Sequence, residues 1–209
     1  MPNLEQALVE ISNIRSQLAA GTVFRGFSPT VIAVTGGLAL ATTSAQSIWP
    51  AALANPPETF LICWIVTAIV STCLIGALMV ARSRRHHGSL ADAMIMSAVE
   101  RFLPAGFAGA AITLVFMKFA PEVLWTLPGL WQILIALGIF TAARSLPRAI
   151  SLVGAWYFVA GVGALIISSL DQSLSPWVMG LPFAVGQFLM AAILQFTPGE
   201  NPGGNNVQG

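Results

Sequence analysis

Six apolar runs, each near the roughly 20 residues that a helix needs to cross hydrocarbon, leave this chain few ways to fold. They cover approximately residues 29–49, 60–80, 102–119, 125–143, 150–170 and 177–196. Backbone amides in lipid have no water to pair with, so each run must satisfy its own hydrogen bonds as a helix. A membrane β-barrel would show alternating segments of about ten residues instead, and the stretch LVGAWYFVAGVGALIISSL does not alternate. Composition agrees, since 56% of the 209 residues are hydrophobic and 8% are charged, against about a quarter charged in a soluble domain. The expected fold is an all-α, polytopic membrane helix bundle with six transmembrane helices.

Positive residues in short loops stay on the cytoplasmic side. With six spans, Arg15, Arg25, Arg82, Arg84, Arg85, Arg101, Arg144 and Arg148 share one side, and Lys118 alone approaches the other. The opposite loops carry Glu58, Glu122 and Asp171. Both termini are therefore expected to be cytoplasmic. Trp49, Trp64, Trp125, Trp131 and Trp177 fall at or near the outer ends of spans, as an interfacial aromatic belt would, while Trp156 sits toward an inner end. Thr43, Ser44 and Ala45 have the small side chains of a signal-cleavage site. The long polar lead with Glu5 and Glu10 is unlike the short positive start of a signal peptide, so the first span is expected to be retained.

The chain is expected to divide into a cytoplasmic N-terminal amphipathic helix and linker (1–28), a six-helix transmembrane domain (29–196) and a disordered cytoplasmic tail (197–209). The tail, TPGENPGGNNVQG, has too little apolar surface to bury. In the N-terminal segment Leu4, Ala7, Leu8, Ile11, Ile14 and Leu18 recur at helical spacing, with Arg15 near the middle of the apolar face. Glu5 and Glu10 make this helix slightly acidic, whereas helices lying on anionic lipid are rich in Lys and Arg. Leu4, Leu8, Ile11, Arg15 and Leu18 are thus a candidate face for a partner helix, a second copy of the chain, or the protein's own inner loops. A second amphipathic segment starts at Ser89 with a capping-box-like SLAD and places Leu90, Met94, Ile95, Ala98 and Phe102 on one face. It reads as an interfacial helix before span three, with a re-entrant dip as the alternative, and Pro104 is expected to bend or restart the helix at the junction.

Chemistry-bearing residues are sparse. Arg82, Arg84, Arg85, His86 and His87 form the most polar cluster, and Arg144 and Arg148 can join the same basic surface. Three guanidinium groups oppose a divalent cation, and two adjacent histidines fall short of a metal's donor set, so this surface suits anionic lipid headgroups, an anionic ligand or a protein partner. No metal or cofactor is expected. A net charge of +1 gives no basic stripe for nucleic acid. No charged residue or histidine lies near the middle of any span, which argues against proton-coupled transport, voltage sensing and haem ligation. Uncharged polar residues remain: Thr35, Thr42, Thr43, Ser44, Thr67, Ser71, Thr72, Gln132, Ser168, Ser169, Gln187 and Gln195. They either join helices by hydrogen bonds or line a path for a neutral solute. Cys63 and Cys73, about 15 Å apart on one helix, are beyond disulfide reach. Small residues four apart occur at Ala105 with Gly109, Gly106 with Ala110, and Ala160 with Ala164.

The segments GTVFRGFSPT, ARSRRHHGSLADAM, ERFLPAGFAGA, LPGLWQI and SPWVMGLPFAVGQ resemble an uncharacterised family of small six-span bacterial inner-membrane proteins. The likeness runs from about Ile11 to Phe196 and implies membrane placement, with no activity, ligand or catalytic residue attached. Three readings follow. The first is a non-catalytic inner-membrane protein of regulatory or accessory type, acting through protein contacts at its cytoplasmic face. The second is a small transporter or channel for a neutral or anionic solute. The third is an enzyme acting on lipid headgroups near His86 and His87.

Overall fold

The computed structural model describes residues 28–85, 89–143 and 149–196. Outside them lie the amphipathic N-terminal segment with Leu4, Leu8, Ile11, Arg15 and Leu18, the tail 197–209, and His86, His87, Arg144 and Arg148. The described chain is all helical. It comprises α1 (Pro29–Ile48), a short α2 (Pro50–Leu53), α3 (Pro57–Arg85), α4 (Ser89–Phe119), a 3₁₀ segment (Pro121–Thr126), α5 (Leu127–Ala143), α6 (Ile150–Asp171) and α7 (Pro176–Phe196). Pro29, Pro50, Pro57, Pro121 and Pro176 each open an element. Proline suits the first helical position because its missing N–H would have no intrahelical partner there.

Among the described residues five stretches are long and apolar enough to cross a membrane: Pro29–Ile48, Pro57–Leu78, Pro121–Ala142, Ile150–Asp171 and Pro176–Phe196. The third expected span, Leu103–Phe119, is shorter. It is not a separate element. α4 runs unbroken for 31 residues from Ser89, so the segment read as an interfacial helix and the third span form one helix with Pro104 inside it. Of the bend or restart expected at Pro104, the restart does not occur, and α4 continues through the proline. α3 likewise continues beyond its apolar stretch and carries Arg82, Arg84 and Arg85 in its last turns.

Neighbouring helices in the bundle follow the order α3, α1, α7, α6, α5, α4, with α1–α7 and α5–α6 the closest pairs. Glycine sets both approaches. At Gly161 of α6 an added Cβ would lie 2.8 Å from the Gly129 carbonyl oxygen of α5, and at Gly129 it would lie 2.7 Å from the Gly161 carbonyl oxygen. At Gly180 of α7 it would collide with the Thr43 hydroxyl of α1. The small residues that carry the packing are therefore Gly129, Gly161 and Gly180, whereas Gly106 on α4 has nothing within 4 Å of a Cβ position. Gly109 makes only ordinary contact with Trp131 and Leu134.

The interior falls into two layers. Ala39, Phe60, Leu61, Trp64, Leu124, Leu127 and Met179 pack toward the end that bears Glu58, Glu122 and Asp171. Ala136, Ile139, Ile150, Val153 and Tyr157 pack toward the other end. Large apolar side chains cover the outside, including Ile62, Val66, Ile69 and Val70 of α3 and Leu152, Val159 and Ile166 of α6. A surface so apolar on successive helices needs lipid around it. Trp49 and Trp177, 59% and 50% exposed, suit an aromatic belt. Trp64 does not. It is 3% exposed and bonded inside the bundle, and Trp131 donates to Thr113 of α4 at 3.1 Å. An indole N–H is satisfied as well by a buried acceptor as by a headgroup.

Because the Gly129 carbonyl cannot move aside, Gly161→Ala should lower the stability of the detergent-solubilised bundle by about 1–3 kcal/mol. Gly106→Ala should change it by no more than about 0.5 kcal/mol. Thermal or denaturant unfolding of the two variants beside the parent chain measures the difference.

Candidate functional site

Polar side chains inside the bundle belong almost entirely to uncharged residues, and most are bonded to a neighbouring turn or helix. At the acidic end, Gln46 is 1% exposed and uses its whole carboxamide. Its Nε2 donates to the carbonyls of Leu53 at 3.1 Å and Phe60 at 3.2 Å, and its Oε1 accepts from Trp64 Nε1 at 2.9 Å. One side chain thus ties the end of α1 to the last residue of α2 and to the first turns of α3. One turn deeper, Thr42 and Thr67 bond hydroxyl to hydroxyl at 2.8 Å across α1 and α3. Thr43, Ser47, Thr67, Thr113 and Thr141 donate to carbonyls four residues earlier, which satisfies the hydroxyl without a partner helix.

A second cluster joins α1, α6 and α7. The Thr35 hydroxyl lies 2.8 Å from the Ile32 carbonyl and 3.1 Å from Gln187 Oε1. Gln187 Nε2 donates to the Tyr157 hydroxyl at 3.2 Å, and that hydroxyl donates to the Phe183 carbonyl at 3.2 Å. Beside it, Trp156 Nε1 donates to the Pro182 carbonyl at 2.9 Å, and Gln132 Nε2 of α5 donates to the Val178 carbonyl at 3.3 Å. Gly186 leaves the space that the Tyr157 ring fills. Two buried polar atoms among the described residues have no partner, Ser71 Oγ and Gln132 Oε1.

The expected site residues are not gathered by this geometry. Arg82, Arg84 and Arg85 stand in the last turns of α3, while His86, His87, Arg144 and Arg148 lie outside the described residues. Glu58, Glu122 and Asp171 are all exposed, and Asp171 accepts from the backbone N–H and the hydroxyl of Ser173. Among the described residues no three His, Cys, Asp or Glu side chains come together to hold a metal. Lys118 is exposed, with its ammonium 5.6 Å from the Phe119 ring centroid, and Cys63 and Cys73 are free thiols. Sequence reasoning did not single out Gln46, Tyr157 or Thr113. Gln46 and Trp64 sit near the same ends of consecutive antiparallel spans, which is the available clue to their pairing.

Helices of this length and apolarity, joined by neutral hydrogen bonds, define a multi-pass membrane helix bundle. No protein-family model, curated protein or solved structure matches the chain.

Gln46→Leu would strand the buried Trp64 indole N–H and leave the Leu53 carbonyl only the Cys63 thiol at 4.0 Å, while the Phe60 carbonyl keeps its place in the α3 backbone ladder. An unmet buried group costs about 1–3 kcal/mol, so this variant should lose about 2 kcal/mol or more in an unfolding titration. Ser47→Ala, which removes only a local bond to the Thr43 carbonyl, should lose less than about 1 kcal/mol.

Proposed function

We propose that this chain is a non-catalytic protein of a bacterial inner membrane, with both termini cytoplasmic. It acts as a regulatory or accessory subunit through protein contacts at its cytoplasmic face. The observation that carries this reading is the chemistry of the interior. Among the described residues the buried polar side chains are Thr35, Thr43, Gln46, Thr67, Ser71, Thr113, Gln132 and Ser168, with no acid, base or histidine. Most of their hydrogen-bonding capacity joins one helix to another or closes a local turn, which leaves little for catalysis or charge-coupled transport.

The charge distribution supports the orientation. α3 delivers Arg82, Arg84 and Arg85 to one end of the bundle, and Glu58, Glu122 and Asp171 occupy the other. The basic end suits anionic headgroups, and the amphipathic stretch with Leu4, Leu8, Ile11, Arg15 and Leu18 supplies the face for a protein partner or a second copy.

Native mass spectrometry of the full chain, released from its membrane in mild detergent, tests this reading. The expected result is a stoichiometric protein partner that is lost when residues 3–20 are deleted. A monomer unaffected by the deletion and thermally stabilised by a small neutral or anionic solute would overturn it in favour of a transporter.

A further inference from the structure

Pro182 lies well inside α7. Having no N–H, it leaves the Val178 carbonyl, four residues earlier, without its helical partner. Gln132 Nε2 fills that gap from α5 at 3.3 Å, longer than most N–H···O bonds. The rest of the same carboxamide is unfavourably placed, since Gln132 is 0% exposed and its Oε1 meets no donor. A single long bond, made by a half-satisfied amide, stands in for one rung of the α7 backbone.

The two halves of α7 share α1 as a neighbour, which packs on Gly180 before Pro182 and on Ala184, Gln187 and Phe188 after it, but they differ in the other helices they meet. Before Pro182, Gly180 packs against Thr43 of α1 and Trp64 of α3. After it, the Phe183 carbonyl and Gln187 are held by Tyr157 of α6, and Gln187 also reaches Thr35 of α1. The core divides at the same point: Met179 belongs to the first buried cluster, Leu189, Met190 and Ile193 pack on the second, and Phe183 touches both.

We propose that α7 is a two-part helix hinged at Pro182, and that the Gln132 carboxamide is its latch. With the latch closed, Val178 is satisfied and Oε1 is not. When the second half swings, the break opens to water or to another polar group, which can reach both atoms. The moving part ends at Phe196, at the end of the bundle proposed to meet a partner, although the hinge does not depend on that reading.

Double electron–electron resonance on the full chain tests the hinge. In a Cys63→Ala and Cys73→Ala background, nitroxides are placed at Trp177→Cys and Phe196→Cys, both exposed positions. A straight helix would hold the two backbones about 29 Å apart. The parent should give a broad distance distribution, and Pro182→Ala, which restores the missing N–H, should narrow it about twofold. Gln132→Leu should broaden it, and the double variant should match Pro182→Ala, because the latch is then redundant. An equal width in the parent and Pro182→Ala overturns the proposal, whether or not Gln132→Leu yields a folded bundle. A double variant as broad as Gln132→Leu alone overturns it too.

Discussion

Polar atoms inside a lipid-immersed bundle cannot fall back on water, so a carbonyl or amide left over by the backbone has to be met by a neighbouring helix. A neighbour can reach it only where two helices come close. Gly129 with Gly161, and Gly180 with Thr43, create the two closest approaches. The interhelical polar bonds gather around them. Gln132, one turn beyond Gly129, reaches Val178 of α7, and Gln46, one turn beyond Thr43, gathers α1, the end of α2 and α3. Each such bond contributes about 0.6 kcal/mol on average in a membrane. Their value lies in fixing which helix faces which, since apolar side chains pack almost equally well against lipid.

This arrangement makes the bundle uneven. α1, α5, α6 and α7 are joined by glycine contacts and carboxamide bonds, whereas α3 and α4 flank them and expose long apolar faces. α3 is anchored mainly through its first half, by Phe60, Leu61, Trp64 and the Thr67 hydroxyl bond. Beyond Ser71 its described side chains are half-buried or exposed. The arginines at its end are therefore carried by a helix that is tied down at the opposite end.

Helical spans were the legible part of the sequence, because the requirement for uncharged runs of bilayer length leaves a pattern that no other fold produces. The expected bounds of the first, fifth and sixth spans agree with α1, α6 and α7 to within a residue. Pro104 marks no helix boundary, because the loss of one backbone N–H is local and α4 continues through it. Trp64 misled because indole is amphipathic, and composition alone does not distinguish a headgroup from the buried Gln46 carboxamide. Thr35, Thr42, Thr67, Gln132 and Gln187 were recognisable as hydrogen-bonding groups, but their partners depend on helix order. Nothing in the sequence places Gln132 opposite Val178. Pro182 announces only that the Val178 carbonyl needs a donor from somewhere. The basic cluster and the N-terminal amphipathic face, by contrast, owe their interest to charge and periodicity in the sequence.

The central claim is that neutral polar groups in the interior join helices and do not line a solute path. The most direct test is thiol accessibility in sealed membranes, with Cys63 and Cys73 replaced by Ala and single cysteines placed at Thr35, Ser71 or Gln187. A membrane-impermeant maleimide, applied from either side, should leave all three unlabelled and should label a control cysteine at the exposed Ser173. Labelling at Ser71 or Gln187 at a rate near that of the control would contradict the claim, because the reagent reaches those positions only through water.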